Sequence, residues 1–181
     1  MLTNETLQEK IKGMIPGAVV SASDSYGLLD LEIDPAHLPA LVKRLRDDAD
    51  LKFDMLVDLV GADYLEYPQP KKARFGVIYN LKSLGKGHRV ILRVYLPEED
   101  PAIGSIHDLY KNANWLEREV FDQYGVRFVG HPNPKRLLNH IEFVGHPLRK
   151  DYPITRQQWL SETDDLMDEM DVRLLEKGYP R

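Results

Sequence analysis

Apolar residues recur at two distinct periods over the first two-thirds of the chain. Leu7, Ile11 and Met14/Ile15 share a helical face behind Thr3 or Asn4, either of which can cap the helix, and Pro16-Gly17 ends it. The spacing then predicts two short strands, 18–23 and 28–33, around the turn Asp24-Ser25-Tyr26-Gly27. In the second, Leu29, Leu31 and Ile33 alternate with Asp30 and Glu32. Asp34-Pro35 supplies an N-cap and an N1 proline for a helix to about Asp48, with Leu38, Leu41, Val42 and Leu45 on its apolar face. Three longer strands are expected next. One has Met55, Val57 and Leu59 alternating with Asp54, Leu56 and Asp58. The others carry Phe75, Val77, Tyr79, Leu81 and Val90, Leu92, Val94, Leu96 on one face. Ser83-Leu84-Gly85-Lys86-Gly87 is a hairpin signal, so the last two should pair antiparallel. The expected fold is α+β: a mainly antiparallel sheet with helices packed on it.

A last helix is expected over 105–124, with Leu109, Ala113, Leu116, Val120 and Tyr124 in one stripe and Trp115, Arg118 and Asp122 on the opposite side. Arg118 and Asp122 are spaced for a weak i,i+4 pair. A tryptophan on the polar side lies under the following loop or at an interface.

After Gly125 the pattern breaks. Pro132, Pro134, Pro147 and Pro153 forbid a long helix or central strand. Arg127, Lys135, Arg136, Arg149, Lys150 and Arg156 face only Glu142 and Asp151. An ordered chain of this kind must lie against a surface. From Ser161 onward the sequence turns acidic, and Leu166, Met170 and Leu174 make either a weak amphipathic face or part of a mobile tail. The organisation expected is a compact domain over 1–125, an extended, basic, proline-rich C-terminal arm over 126–160 and an acidic tail over 161–181.

Composition narrows the function classes. The 181 residues carry a net charge of −5 and contain no cysteine, which excludes disulfides, thiolate nucleophiles and clusters held by the chain's own thiolates. The acidity argues against a general nucleic-acid binder, and no apolar run reaches the ~20 residues of a membrane span. Glu5 and Glu9 occupy an N-terminus without an apolar signal core or an arginine-rich presequence, so the protein is expected to stay where it is made.

Three clusters are candidates for chemistry. Gly130-His131-Pro132 and Gly145-His146-Pro147 present two histidines from stiff corners, with His140 between them. Such residues suit metal binding or proton transfer, or simply cap backbone at a turn, and the spacing matches no metal motif. Glu117, Glu119 and Asp122 supply carboxylates on one helix, but Glu117 and Glu119 diverge by about 160° and do not converge as acid and base. A salt-bridged face, or a network tying the helix to the basic loop, fits them better. Leu148-Arg149-Lys150-Asp151 offers adjacent cations, a poor phosphate footprint and a better carboxylate-pairing site toward another chain. From residue chemistry alone, no catalytic centre is defined.

Asn114-Trp115-Leu116-Glu117-Arg118-Glu119-Val120-Phe121-Asp122, then Tyr124-Gly125-Val126, Gly130-His131-Pro132, Arg136-Leu137-Leu138 and Gly145-His146-Pro147-Leu148-Arg149-Lys150-Asp151-Tyr152-Pro153, closely resemble the signature of the thirty-kilodalton subunit family of proton-translocating NADH–quinone oxidoreductase, respiratory complex I. Leu59-Val60-Gly61-Ala62-Asp63-Tyr64 and Ser105-Ile106 extend the resemblance to roughly residues 5–155. Gln123, His140 and Glu142 depart from it. The resemblance implies a non-catalytic core subunit of the peripheral arm. Such a subunit holds no flavin, iron–sulfur cluster, metal or quinone site itself; FMN and the iron–sulfur clusters lie in partner subunits. Its implied partners are the other peripheral-arm subunits, especially the large one against which the family's α+β domain sits and the neighbouring cluster-bearing ones. Its implied place is the cytoplasmic face of a bacterial inner membrane, reached through the complex. Trp115, Glu117–Glu119, Asp122, Gly130-His131-Pro132 and Gly145–Asp151 would be docking and fold-locking elements. The alternatives are the equivalent subunit of an energy-converting [NiFe] hydrogenase or ferredoxin-type dehydrogenase, and a free-standing histidine-dependent hydrolase.

Overall fold

The computed structural model describes residues 2–69 and 71–158, with Val172, Arg173 and Glu176 beyond; seven strands and three α-helices are delimited among residues 2–158. The expected amphipathic face of the tail at Leu166, Met170 and Leu174 lies outside the described residues.

Helix α1 (Asn4–Met14) starts where Thr3 Oγ1 accepts the N–H of Thr6, and it buries Leu7 and Ile11. Strands β1 (Val19–Ser25) and β2 (Leu28–Ile33) form a hairpin closed by Tyr26 and Gly27, both at positive φ as a tight two-residue turn requires. Asp34 caps a 3₁₀ turn through the N–H of Ala36, and α2 (Leu38–Asp47) follows, burying Leu38, Leu41, Val42 and Leu45. Strands β3 (Met55–Asp63), β4 (Phe75–Lys82) and β5 (Arg89–Leu96) complete a sheet of order β1-β2-β5-β4-β3. Every pairing is antiparallel except β2 with β5. The expected α+β class and the β4–β5 hairpin are therefore present.

Register makes the core. Leu31, Leu92, Tyr79 and Leu59 are successive partners across β2, β5, β4 and β3, and all four are buried. On the opposite face Arg93 pairs with Asp30 at 2.6 Å and bonds the Tyr64 hydroxyl.

Two expectations need correction. Met55, Val57 and Leu59 do not share the inward face. The register shifts between Leu56 and Asp58, leaving Val57 as the extra residue, so Leu56 and Leu59 point inward and Met55 is exposed. The last helix does not begin at 105; α3 runs from Ala113 to Tyr124. Residues 105–112 are pinned elsewhere as turns: the Tyr110 hydroxyl donates to the Phe53 carbonyl and Asn112 Nδ2 to that of Leu56. Side-chain anchors to the β3 entry thus outcompete helix propagation. α3 crosses β3 at Gly61, where a Cβ would fall 2.5 Å from the Tyr124 ring.

The structure also contains a feature the pattern did not suggest. Strands β6 (Ala102–Gly104) and β7 (Arg127–Val129) form a short parallel pair bracketing α3. Each has three residues and one buried side chain, too short for alternation to reveal. Among the described residues, helices and strands are absent from 130–158.

Candidate functional site

Both ends of α3 carry a carboxylate with no solvent exposure. Asp122, expected on the polar side, is as buried as Glu117. The reason is the arm: it folds back over α3 and covers the face that helical periodicity assigns to water.

Glu117 faces residues 105–106. Its Oε1 accepts the N–H of Ile106 at 2.8 Å and its Oε2 the hydroxyl of Ser105. Burial pushes its pKa up to about 7, and these two donors only partly offset the desolvation. His131, the histidine of the first Gly-His-Pro unit, closes over it. Its Nδ1 accepts the N–H of Asn133, so Nε2 bears the proton and donates to the Asn114 carbonyl at 3.1 Å. Burial holds this imidazole below its usual pKa, and a neutral ring 3.9 Å from Glu117 makes no ion pair. Gly130, at φ 86°, turns the chain into this contact, while Pro132 is exposed.

Asp122 faces the arm. Oδ2 accepts the N–H groups of Leu137, Leu138 and Asn139 at 2.8–3.0 Å, and Oδ1 meets Arg136 at 2.7 Å and Asn139 Nδ2 at 3.0 Å. Burial alone would raise this carboxyl, but the Asn139 donors, Arg136 and the other N–H groups outweigh it and bring the pKa down to about 2. Arg136 continues to the Gly145 carbonyl. His146 Nδ1 lies 2.9 Å from the Asp122 carbonyl, which fixes it as the donor. The expected Arg118–Asp122 pair is replaced: Arg118 donates to the carbonyls of Lys135 and Arg136.

A third anchor lies on the sheet. Asp63, at the end of β3, accepts Arg74 Nη2 at 3.0 Å and the N–H of Lys150 at 2.9 Å. Arg74 also pairs with Asp151 at 2.7 Å and with Glu98. Burial favours the neutral Asp63 acid, yet Arg74 and the two main-chain donors, Lys150 and Leu65, keep its pKa below the usual range. Arg149, expected to face another chain, turns inward instead. Its Nε donates to the Tyr124 carbonyl at 2.7 Å and its guanidinium stacks 4.8 Å from the Phe75 ring. This packing needs Gly125, the left-handed C-cap of α3 at φ 77°. A Cβ there would fall 2.5 Å from Arg149 and 2.6 Å from His146. Leu148 is half exposed, its N–H bonded to the Gln123 carbonyl, and Pro147 is half-buried beside it.

The structure thus brings together Glu117 with His131, and Asp122 with Gly145 and His146. It seats Arg149, Lys150 and Asp151 on β3, β4 and the C-terminal end of α3. It does not join Glu117 to Glu119, which is exposed and opens onto a different cleft. Trp115 is 62% exposed, hence not under the loop. Among the described residues, no group of three or more His, Asp or Glu side chains is placed to hold a metal. Ser105, Asp63, Arg74, Arg136 and Asn139 complete these networks, and residue chemistry did not single them out. Arg136 and Asp122 are 14 residues apart across an irregular loop, a separation with no periodic signal.

Comparison with known proteins gives a consistent picture. Residues 31–158 match the family model described as respiratory-chain NADH dehydrogenase, 30 Kd subunit. The corresponding NADH-quinone oxidoreductase subunit of Thiobacillus denitrificans is 40% identical over 158 residues, covering 85% of this chain and 78% of that protein. Its counterpart in Azorhizobium caulinodans is 43% identical over 155 residues, covering 84% and 71%. Among solved structures, a trypsin-resistant fragment of Nqo5 superposes with a TM-score of 0.64 at 36% identity, covering 71% of this chain and 97% of the fragment. A chain of an archaeal membrane-bound sulfane sulfur reductase has the same TM-score at 19% identity over 91% of each chain, a likeness of fold alone. With matched motifs, architecture and relatives in agreement, this chain belongs to the 30 kDa subunit family of respiratory-chain NADH dehydrogenase.

Proposed function

We propose that this chain is a non-catalytic core subunit of the peripheral arm of a proton-translocating NADH:quinone oxidoreductase, and that its work is to hold the electron-carrying subunits together. FMN, the iron–sulfur clusters and the quinone site then belong to partners, foremost the large subunit of the arm and its cluster-bearing neighbours. The assembly sits on the cytoplasmic face of a bacterial inner membrane. The observation that carries the proposal is the use to which the buried charges are put. Glu117 secures the turn at Ser105 and Ile106, whereas Asp122, Asp63, Arg74, Arg136 and Arg149 are spent on main-chain groups, on one another or on Asp151 and Glu98. They fasten an irregular arm to the domain, while Leu138, Ile141, Val144 and Ile154 on that arm stay exposed at 61–99%. Internal locking combined with outward apolar side chains is the anatomy of a pre-formed docking surface.

Affinity purification from membranes in mild detergent tests this. Co-purification with flavin- and cluster-bearing subunits and with NADH:quinone activity is expected; recovery of the chain alone would refute it. Arg149→Ala and Glu117→Ala should each lower the amount of assembled complex more than turnover per complex. Intact assembly with lost turnover would point to a direct catalytic part.

A further inference from the structure

Between α3 and β7 lies a cleft of ≈ 190 Å³ that fastening the arm leaves open. Phe121, Phe128, Val129 and Pro134 give it apolar walls, Arg118 and Arg127 line it as cations, and the buried Glu117 with the neutral His131 completes the lining. Arg118 donates to two carbonyls and lies 5.5 Å from the exposed Trp115 ring, but among the described residues no carboxylate pairs with it. Arg127 reaches Asp100, and both side chains are more than half exposed, so this pair is weak and exchangeable.

Resting on the reading that the chain is built into a larger complex, we propose that this cleft receives a short acidic segment of a neighbouring subunit, with one apolar side chain filling the cleft and an adjacent carboxylate pairing with Arg118. Size favours this occupant. The cleft suits a single aliphatic or aromatic side chain and falls below the several hundred Å³ of ordinary cofactor or drug-sized sites. Charge selects its flanks: Arg136 and Arg149 are engaged inside, but among the described residues Arg118 donates only to main-chain carbonyls and Arg127 only to an exposed carboxylate. The lining chemistry agrees. Arg118, and the exposed Trp115 beside it outside the cleft, are of the residue types that dominate interface anchors, and Val129 in the lining is a further 61%-exposed apolar contact. Apolar walls argue against a bare phosphate, which would need donors where Phe121 and Phe128 stand.

The test uses the assembled complex. A photoreactive benzophenone amino acid replaces Val129, and the cross-linked peptide is sequenced after illumination. A single segment of a neighbouring subunit is expected, with Asp or Glu within a few residues of an aliphatic or aromatic side chain. Cross-linking to residues 159–181 of this chain, to lipid or to a segment without carboxylates would overturn the proposal, as would no cross-link in a complex that still co-purifies. Arg127→Glu provides a second measure, because its own ion pair is exposed and its loss leaves the fold intact. It should lower the yield of complex at least about threefold, and Asp or Glu→Lys in the cross-linked segment should restore it. An unchanged yield would count against the cleft. Failure of the wild-type chain to co-purify at all would instead remove the docking function itself.

Discussion

The two ends of α3 present the same chemical problem and solve it differently. Glu117 and Asp122 are equally inaccessible to water, yet one has its pKa pushed up to about 7 and the other brought down to about 2. The difference lies in depth and in donors: desolvation bears more heavily on Glu117, and fewer groups offset it. Glu117 has one N–H and one hydroxyl; Asp122 has three N–H groups, an amide and a guanidinium. Burial by itself therefore does not set the charge of an interior carboxylate, and the arm that covers Asp122 is also what keeps it ionised.

The hardest blow to this contrast is Asp122→Ala. It strips Arg136 and three N–H groups of their acceptor, and a loss of about 3–5 kcal/mol is expected, in the range for orphaning one partner of a buried charged pair. Chemical denaturation measures the loss, and earlier proteolysis between 130 and 150 locates it. In the wild type, the Asp122 contribution is present above about pH 4 and disappears as pH falls toward 2, because the folded pKa is the lower one.

Glu117→Gln sharpens the contrast with the opposite sign. The folded pKa is raised, so ionising Glu117 costs stability, an effect absent below pH 4.5 and complete somewhat above pH 7. Wild type should lose up to about 3 kcal/mol across that window relative to the Gln variant. Parallel stability–pH curves would show that Glu117 is not the titrating group.

Gly125→Ala should cost about 2 kcal/mol, from the left-handed φ and from the collision with Arg149 and His146. The same change at Gly130, whose Cβ would meet open space at φ 86°, should cost only the φ strain. Equal melting temperatures for the two variants would deny the close approach at Gly125. The smallest effect belongs to Asp151→Asn. Its side chain is 51% exposed, so solvent screens its pairing with Arg74 and less than about 1 kcal/mol is at stake.

How much of this was readable in the chain depends on the range of the interaction. The β4–β5 hairpin, α1 and α2 follow from neighbours within a few residues. The bulge at Val57 was hidden, because an unbroken alternation is the default and the shift is set by the partner strand. The late start of α3 was also hidden, because Tyr110 and Asn112 are drawn away by carbonyls more than 50 residues earlier. Around α3, Gly130 and Gly145 take positive φ and turn the chain as the Gly-His-Pro units suggested. Their partners were out of reach of any local pattern.

Residue types and their short-range order were enough to specify the α+β class, the apolar faces of α1, α2, β4 and β5, the absence of thiolate chemistry and the family. They were not enough to say which carboxylates are buried, which of those is charged, or that Arg149 turns inward. Those outcomes were left to tertiary packing, because they depend on how many donors converge from distant segments, and convergence is a property of the packed chain.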